Sequence, residues 1–228
     1  MTEVPGVLIA PSRVKLLRLL SDASSELEEV LVLLRACGVP DCAELPIGVI
    51  DRLLLVAHRA VTGRDLELVV ACPSCRVLNE LPLGAGDVPP YEPRWSWCAP
   101  GAGVREPVGT DLLGLPNDPA EAAAELLRRC AVGPATGGRD QSALDRAEQS
   151  LCGNVRVACT GCQGPVEHYV DVQHLIATAI AAAIADVDVE VHLIASRYSW
   201  DLSAIESLPE KRRMRLAALA ALAGGVPG

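Results

Sequence analysis

Two Cys-x-x-Cys motifs constrain the fold of this chain more than any other feature of its sequence. Cys72 and Cys75 form the first motif, and Cys159 and Cys162 form the second. Each motif follows a short Val-rich segment and precedes a second apolar segment, a pattern typical of a tight turn between two β-strands. The repeated pattern predicts two similar hairpins, each with a pair of cysteines at its turn.

The four paired cysteines predict a metal site. Four thiolates bind one zinc ion tetrahedrally at about 2.3 Å, and two Cys-x-x-Cys turns supply such a set. Residues 76–158 separate the two motifs, far more than the roughly 15 to 20 residues of a compact zinc module, so a shared site closes a large insertion. We predict one structural Zn²⁺ ion bound by Cys72, Cys75, Cys159 and Cys162, with no open ligand position.

Two other interpretations of the paired cysteines stay open: two redox pairs, or reduced thiols without a metal. A thioredoxin-like pair lies at the start of a helix, where the helix dipole lowers the thiol pKa, and neither motif precedes a helical pattern. The other cysteines lack the paired spacing, and we predict that they are buried as small apolar residues. They are Cys37, Cys42, Cys98, Cys130 and Cys152.

Apolar periodicity outside the motifs is mainly helical. Steps of three and four residues mark 11–61, 119–130 and the segment after Asp171, which is a predicted N-cap. We predict an α+β, mainly helical fold with a small antiparallel zinc ribbon made of two hairpins distant in sequence. The predicted regions are an N-terminal helical region (1–63), two ribbon halves (64–83 and 153–171), an insertion (84–152) and a C-terminal helical region (172–228).

Two local expectations follow from Pro and Gly positions. Residues 84–118 are rich in both, which predicts an irregular surface connection. Ser207-Leu208-Pro209-Glu210 predicts a capping box that opens the last helix.

Charge and apolar length argue against several classes of function. The chain has 20 Lys and Arg against 29 Asp and Glu, a net charge of -9 that opposes binding to nucleic-acid phosphates. The longest apolar run, Leu175 to Ala185, is shorter than the ~20 residues of a membrane span, and the first residues lack a signal-peptide pattern. We expect a cytoplasmic, non-enzymatic protein with no membrane span and no small-molecule substrate.

One basic cluster, Lys211-Arg212-Arg213-Met214-Arg215, stands apart from this acidic composition. A short helix, a turn and a basic helix around it resemble a helix-turn-helix arrangement, so a zinc-stabilised DNA-binding regulator is the alternative function. A solvated helix face, or a docking surface for a partner protein, accounts for the same residues.

Four stretches of the chain carry a resemblance to a known family. They are Leu45-Pro-Ile-Gly-Val-Ile-Asp-Arg-Leu-Leu-Leu, the two cysteine motifs, and the C-terminal segment from Glu190 through Tyr198-Ser-Trp200 and Ile205 to Leu216. In their order and spacing the chain resembles the zinc-ribbon baseplate proteins of contractile phage tails and phage-tail-like injection systems, commonly grouped with the baseplate hub assembly protein of T-even-like phages. It departs from them after each second cysteine, where Arg76 and Gln163 replace a frequent Gly.

The resemblance implies a cytoplasmic assembly chaperone or structural subunit that binds baseplate or hub proteins of a contractile tail, and that could be incorporated into the particle. On this basis we expect the partner-facing surface to comprise Tyr198 and Trp200 together with Arg212, Arg213 and Arg215 on an exposed last helix.

Overall fold

The structure of the protein, a computed structural model, describes residues 8–134 and 141–224. Short parts of three predicted regions lie outside the described residues: 1–7 of the N-terminal region, 135–140 of the insertion and 225–228 of the C-terminal region.

Helices and hairpins follow one another largely in the predicted order. The helices are α1 (Arg13–Leu20), α2 (Glu26–Ala36), α3 (Ile47–Thr62), α4 (Gly109–Leu112), α5 (Pro119–Cys130), α6 (Gln141–Ala147), α7 (Val172–Tyr198), α8 (Leu202–Glu206) and α9 (Glu210–Gly224). The strands are β1 (Leu66–Ala71), β2 (Leu78–Leu83), β3 (Trp95–Ala99), β4 (Ala102–Arg105), β5 (Ala131–Val132), β6 (Gly153–Ala158) and β7 (Pro165–Val170). The predicted α+β class, mainly helical with small antiparallel sheets, is confirmed.

Local signals in the sequence set the ends of the principal helices. Asp171 is the N-cap of α7, as predicted, and its carboxylate accepts a hydrogen bond from the backbone N–H of His174. Gly63 ends α3 in the left-handed conformation, with φ of 78°, which glycine adopts without steric cost. The end of α3 therefore lies close to the start of β1, and the start of α7 lies close to the end of β7.

The core lies between α7 and the first three helices. One face of α7 carries Ile176, Ile180 and Ile184, which pack in a single apolar cluster with buried residues of α1, α2 and α3. The N-terminal and C-terminal helical regions therefore share one core. The predicted division into four regions stays a prediction.

Helix α7 bears on the membrane question. Among the described residues it is the one helix whose length and apolar composition would allow it to cross a membrane, although core helices of soluble proteins have the same properties. Its apolar stripe packs on α1, α2 and α3. The absence of a membrane span stays a prediction.

Two antiparallel hairpins carry the cysteine motifs. Strand β1 pairs with β2 from Leu66 opposite Leu83 to Ala71 opposite Leu78. Strand β6 pairs with β7 from Gly153 opposite Val170 to Ala158 opposite Pro165. The predicted hairpins are therefore present at both motifs.

The prediction of an irregular connection at 84–118 is wrong for part of that segment. Strands β3, β4 and β5 form a three-stranded antiparallel sheet on which α6 packs through Ser96 and its neighbours. The strands are short, and a register shift interrupts the pairing of β3 with β4. They therefore give only a brief alternation of apolar residues, which the Pro and Gly residues around them obscure in the sequence. Trp95 and Trp97 alternate with the buried Ser96 and lie exposed, with their rings stacked at 5.9 Å.

Buried carboxylates attach the insertion to α3. The Glu106 carboxylate accepts hydrogen bonds from the Gly48 N–H at 2.9 Å and the Tyr91 hydroxyl at 2.7 Å. Asp51, fully buried, accepts from the Ser150 hydroxyl at 2.9 Å, and burial raises the pKa of its carboxyl group. Buried polar groups require such partners, so these contacts fix the insertion against the helix.

A buried ion-pair cluster joins α1, α7 and α9. Glu190 of α7, which is 9% exposed, accepts from Arg13 at 2.9 Å and from the Nε of Arg213 at 2.7 Å. Arg213 is only 2% exposed, so the prediction that it lies on an exposed partner surface is wrong. The buried face of α9 comprises Arg213, Ala217 and Ala220, spaced by four and three residues.

The predicted capping box at the start of α9 is also wrong. The Ser207 hydroxyl donates to the Ala204 carbonyl at 2.8 Å and so belongs to the end of α8. Helix α9 begins one residue after Pro209, whose carbonyl accepts from the N–H groups of Arg212 and Arg213.

We predict that Glu190→Ala lowers the free energy of unfolding by about 3 to 5 kcal/mol, because it leaves two buried or partly buried guanidinium groups without their carboxylate. Asp188→Ala, an exposed position on the same helix, is the matched control and should change stability by less than about 0.5 kcal/mol. Urea unfolding followed by circular dichroism measures both. Equal effects of the two substitutions would show that the cluster does not hold the helices together.

Candidate metal centre

The two cysteine turns have the same backbone hydrogen-bond pattern. The Cys72 N–H donates to the Val77 carbonyl at 2.9 Å, and the Cys159 N–H donates to the Gly164 carbonyl at 2.8 Å. Within each turn, the residue after the second cysteine donates back to the first, at 2.9 Å for Arg76 to Cys72 and 3.0 Å for Gln163 to Cys159. The sequence repeat therefore corresponds to a structural repeat.

The residue after the second cysteine has an unusual backbone conformation in both turns. Arg76 and Gln163 have φ of 62° and 60°, the left-handed conformation that glycine adopts most easily. A non-glycine residue there costs roughly 1 to 2 kcal/mol, so the rest of the turn must hold it in place. Both motifs form the same hydrogen-bonded turn with these residues.

The two turns bring the four predicted ligands together. The Sγ atoms of Cys72, Cys75, Cys159 and Cys162 all lie within 4.8 Å of one another. The distance between the Cys72 and Cys162 sulfurs is 3.7 Å, and that between the Cys75 and Cys159 sulfurs is 3.5 Å. All four thiols are free.

These distances fit metal coordination better than disulfide bonding. A tetrahedron with four sulfurs about 2.3 Å from a central zinc ion has edges of about 3.8 Å. A disulfide requires a sulfur separation of about 2.05 Å. The cluster therefore has the size and the donor atoms of a four-thiolate metal site.

Burial differs between the two members of each pair. Cys72 and Cys159, the first cysteine of each motif, are buried, whereas Cys75 and Cys162 are exposed. Val70 and Val166 pack with the buried cysteines in a small apolar cluster between the hairpins. The site is therefore held on its inner side by the protein and open to solvent on its outer side.

The electrostatics of the cluster favour a bound cation. Backbone N–H groups of Cys162 and Gly161 donate to the Cys159 sulfur and lower the pKa of that thiol to about 6. The N–H of Val77 lowers the pKa of Cys75, but desolvation and the neighbouring thiols outweigh it and raise that pKa to about 11. Adjacent thiolates repel one another. A bound divalent cation offsets this repulsion with its positive charge and keeps the thiols deprotonated.

Asn79 of β2 connects the two hairpins beside the cluster. Its side chain is 2% exposed, and its Nδ2 donates to the carbonyls of Val70 at 3.3 Å and Val77 at 3.0 Å. Its Oδ1 accepts from the N–H and the hydroxyl of Thr160, at 2.8 Å and 3.1 Å, in the other turn. Sequence reasoning missed this residue. The signal that could have found it is an Asn at a position where strand alternation predicts a buried side chain, because a buried amide requires hydrogen-bond partners.

A close approach at Gly161 also joins the turns. A Cβ atom at this position would lie 2.9 Å from the Cγ2 atom of Val77, closer than non-bonded carbon atoms pack. A larger residue at position 161 would therefore require the Val77 side chain to shift.

The five remaining cysteines lie outside the cluster. Cys37, Cys42 and Cys130 are buried, as predicted, whereas Cys98 and Cys152 are partly exposed. Burial raises the pKa of Cys37 and of Cys152 to about 11 and that of Cys130 to about 12, so these thiols stay protonated at neutral pH. Among the described residues, the grouping of metal-ligating side chains contains the four paired cysteines and no His.

Four of the five predicted partner residues occupy two exposed places, whereas the fifth, Arg213, is buried. Tyr198 and Trp200 lie at the end of α7 with ring centroids 5.7 Å apart, and both are exposed. Arg212 and Arg215 are exposed on α9. With Arg213 buried, the basic surface of α9 comprises Lys211, Arg212 and Arg215, which also lowers the positive charge available for the DNA-binding alternative.

Comparison of the chain with protein-family models, with curated proteins and with solved structures finds no match. The resemblance to baseplate proteins therefore stays a prediction that depends on the four sequence stretches.

We predict that replacing a cluster cysteine destabilises the ribbon much more than replacing a cysteine outside it. Cys75→Ser should abolish stoichiometric zinc binding and lower the thermal midpoint by ten degrees or more, since structural zinc contributes on the order of 10 kcal/mol to coupled folding. Cys98→Ser is the control, because Cys98 is a partly exposed cysteine that lies in the three-stranded sheet, outside the cluster. Equal thermal midpoints and equal zinc contents for the two variants would contradict the assignment.

We predict that Asn79→Ala lowers the free energy of unfolding by about 1 to 3 kcal/mol, because the Thr160 N–H loses its acceptor and the carbonyls of Val70 and Val77 each lose a donor. Asn154→Ala on β6 is the control, since Asn154 is exposed. Urea unfolding of the metal-loaded proteins measures the difference. A loss no larger than that of the control would show that Asn79 does not couple the hairpins.

Proposed function

We propose that the four-cysteine cluster holds one structural Zn²⁺ ion. The observation that carries this proposal is the convergence of four sulfurs to within 4.8 Å, although the contacting cysteines of the two turns are 84 and 90 positions apart in the sequence. When bound, the ion supplies a positive charge that stabilises four thiolates. Since four protein thiolates complete tetrahedral coordination, no position is left for water or substrate. The role of the site is to tie the two hairpins together.

We further propose that the protein is a non-enzymatic assembly or structural component of a contractile tail baseplate, at its hub. The resemblance of four stretches of sequence supports this proposal. One of them, Leu45 to Leu55, lies largely in the buried part of α3, and two others form the cysteine turns. The fourth covers the end of α7 and the start of α9, where exposed aromatic and basic side chains lie.

The exposed side chains of the fourth stretch suit a protein partner. Arg212 and Arg215 form no ion pair with any described residue, and Lys211 lies next to them. The same side of α9 continues into Leu216 and Leu219, the latter exposed. Cations next to apolar side chains favour an acidic, partly apolar protein surface as the partner. The buried Arg213 contributes indirectly, because its ion pair with Glu190 fixes α9 on α7.

The test is co-purification with baseplate proteins. A tagged chain is expressed together with the structural proteins of a contractile tail, and bound proteins are identified by mass spectrometry. We predict that Arg212→Glu combined with Arg215→Glu reduces recovery of a baseplate or hub protein at least tenfold, while zinc content stays at one per chain. Arg64→Glu combined with Arg94→Glu is the matched control, since both positions are exposed and lie elsewhere on the surface.

Two results would contradict this function. If the unmodified chain recovers no baseplate protein, the proposed assembly role is wrong. Salt-dependent duplex binding that the α9 variant abolishes, without any protein partner, would favour the alternative of a zinc-stabilised DNA-binding regulator.

A further inference from the structure

A small apolar pocket opens between α1, α2 and α7. Its volume is about 170 Å³, and the residues that line it lie outside the metal centre and outside α9. The floor consists of Val30, Leu33 and Ile180, which are at most 2% exposed. A bound group would therefore contact mainly the walls, where Leu17 and Leu20 of α1 are partly exposed.

Small residues of α7 leave this space open. Ala177 and Ala181 line the pocket and are four residues apart, so they lie on one face of the helix. Ala181 is exposed, and Ala185, the next residue on that face, is exposed as well. Another protein chain can therefore approach α7 closely at this side of the pocket.

The polar groups at the pocket are acceptors. Among the described residues that line it, Glu29 of α2 alone is charged, and its carboxylate forms no ion pair with any described residue. The Ser21 hydroxyl already donates to the Arg18 carbonyl at 2.8 Å, so it can only accept from a ligand. Charge complementarity therefore favours a cation beside the apolar part of the ligand.

The size of the pocket fits one side chain. An apolar cavity of about 150 Å³ is large enough to bind benzene, the ring of a Phe side chain. Pockets for drug-sized molecules have volumes of about 300 to 1,000 Å³ and so are larger than this one. Single side chains that fill a pocket are, by contrast, the usual anchors of protein interfaces. The volume therefore favours a side chain of a partner protein over a small-molecule ligand.

We propose that this pocket binds one apolar side chain of a partner protein, of the size of Phe or Leu, next to a Lys or Arg in the partner's sequence. The apolar side chain fills the space between Leu17, Leu20 and Ala181, and the cation pairs with Glu29. This surface is separate from α9, so the inference does not rest on the proposed baseplate function.

The experiment follows the methyl signals of Leu17, Leu20 and Ala181 by NMR in the full-length, zinc-loaded protein at constant ionic strength. The probes are acetyl-Gly-Phe-Lys-Gly-amide, a second peptide with Glu in place of Lys, and a third with Ala in place of Phe. We expect saturable shifts with the first peptide and none with the third. The second should bind roughly fivefold more weakly, the effect of one exposed charge pair.

Two variants test the apolar and the charged contact separately. Ala181→Leu fills the pocket and should abolish binding of the Phe-Lys peptide. Ala182→Leu, at an exposed position of α7 that does not line the pocket, is the matched control and should leave binding unchanged. Glu29→Gln keeps the apolar walls and should remove most of the difference in affinity between the Lys and Glu peptides.

Three results would overturn the proposal. The first is a shift that does not saturate with the Phe-Lys peptide, or binding that both alanine variants weaken equally. The second is tighter binding of benzylammonium, which has the ring and the cation without a peptide chain, because this would indicate a small-molecule site. The third is a change of the same methyl signals with protein concentration alone, which would indicate a second copy of this chain as the occupant.

Discussion

The convergence of four cysteine sulfurs is the constraint on which the rest of this fold depends. Two-stranded hairpins are marginal in water on their own, and here each hairpin contributes half of one site. Because β1 follows α3 after Gly63 and β7 precedes α7 at Asp171, joining the hairpins also fixes the ends of the two central helices. The same convergence closes the chain around residues 76–158. The cysteine cluster and the helical core are thus parts of one arrangement.

Polar contacts away from the cluster extend this arrangement in two directions. Glu106 and Asp51 attach the insertion to α3, so the three-stranded sheet is held against the helical core. Glu190 holds α1 and α9 on α7 through Arg13 and Arg213. Each contact buries charge that must stay paired, which makes the geometry specific and its loss costly. The position of the basic face of α9 depends on the contact between Glu190 and Arg213.

Apolar periodicity and cysteine spacing were sufficient to predict much of this structure. The helices at the core, both hairpins and the grouping of Cys72, Cys75, Cys159 and Cys162 follow from local patterns that the tertiary structure preserves. Strands β3 to β5 could not be predicted in this way, because they are short and their order depends on pairing across a long segment. The position of Asn79 required knowledge of the second turn, since its partner Thr160 lies 81 positions away.

The basic cluster shows a second limit of sequence reasoning. A run of five residues with four cations contains members of every helix face, so composition could not tell which arginine is buried. The buried face follows Arg213, Ala217 and Ala220, while Leu219 lies exposed on the same helix. A signal was present in α7, where Glu190 continues the spacing of Ile184 and Val187 on the buried stripe. An acidic residue at such a position indicates a buried cationic partner.

X-ray absorption at the zinc edge, on protein purified without added metal or chelator, identifies the atoms that bind the ion. We expect one zinc ion per chain with four sulfur ligands at about 2.3 Å and no nitrogen or oxygen ligand. Protein that contains no zinc, or zinc bound by nitrogen or oxygen in place of one of the four sulfurs, would contradict this expectation.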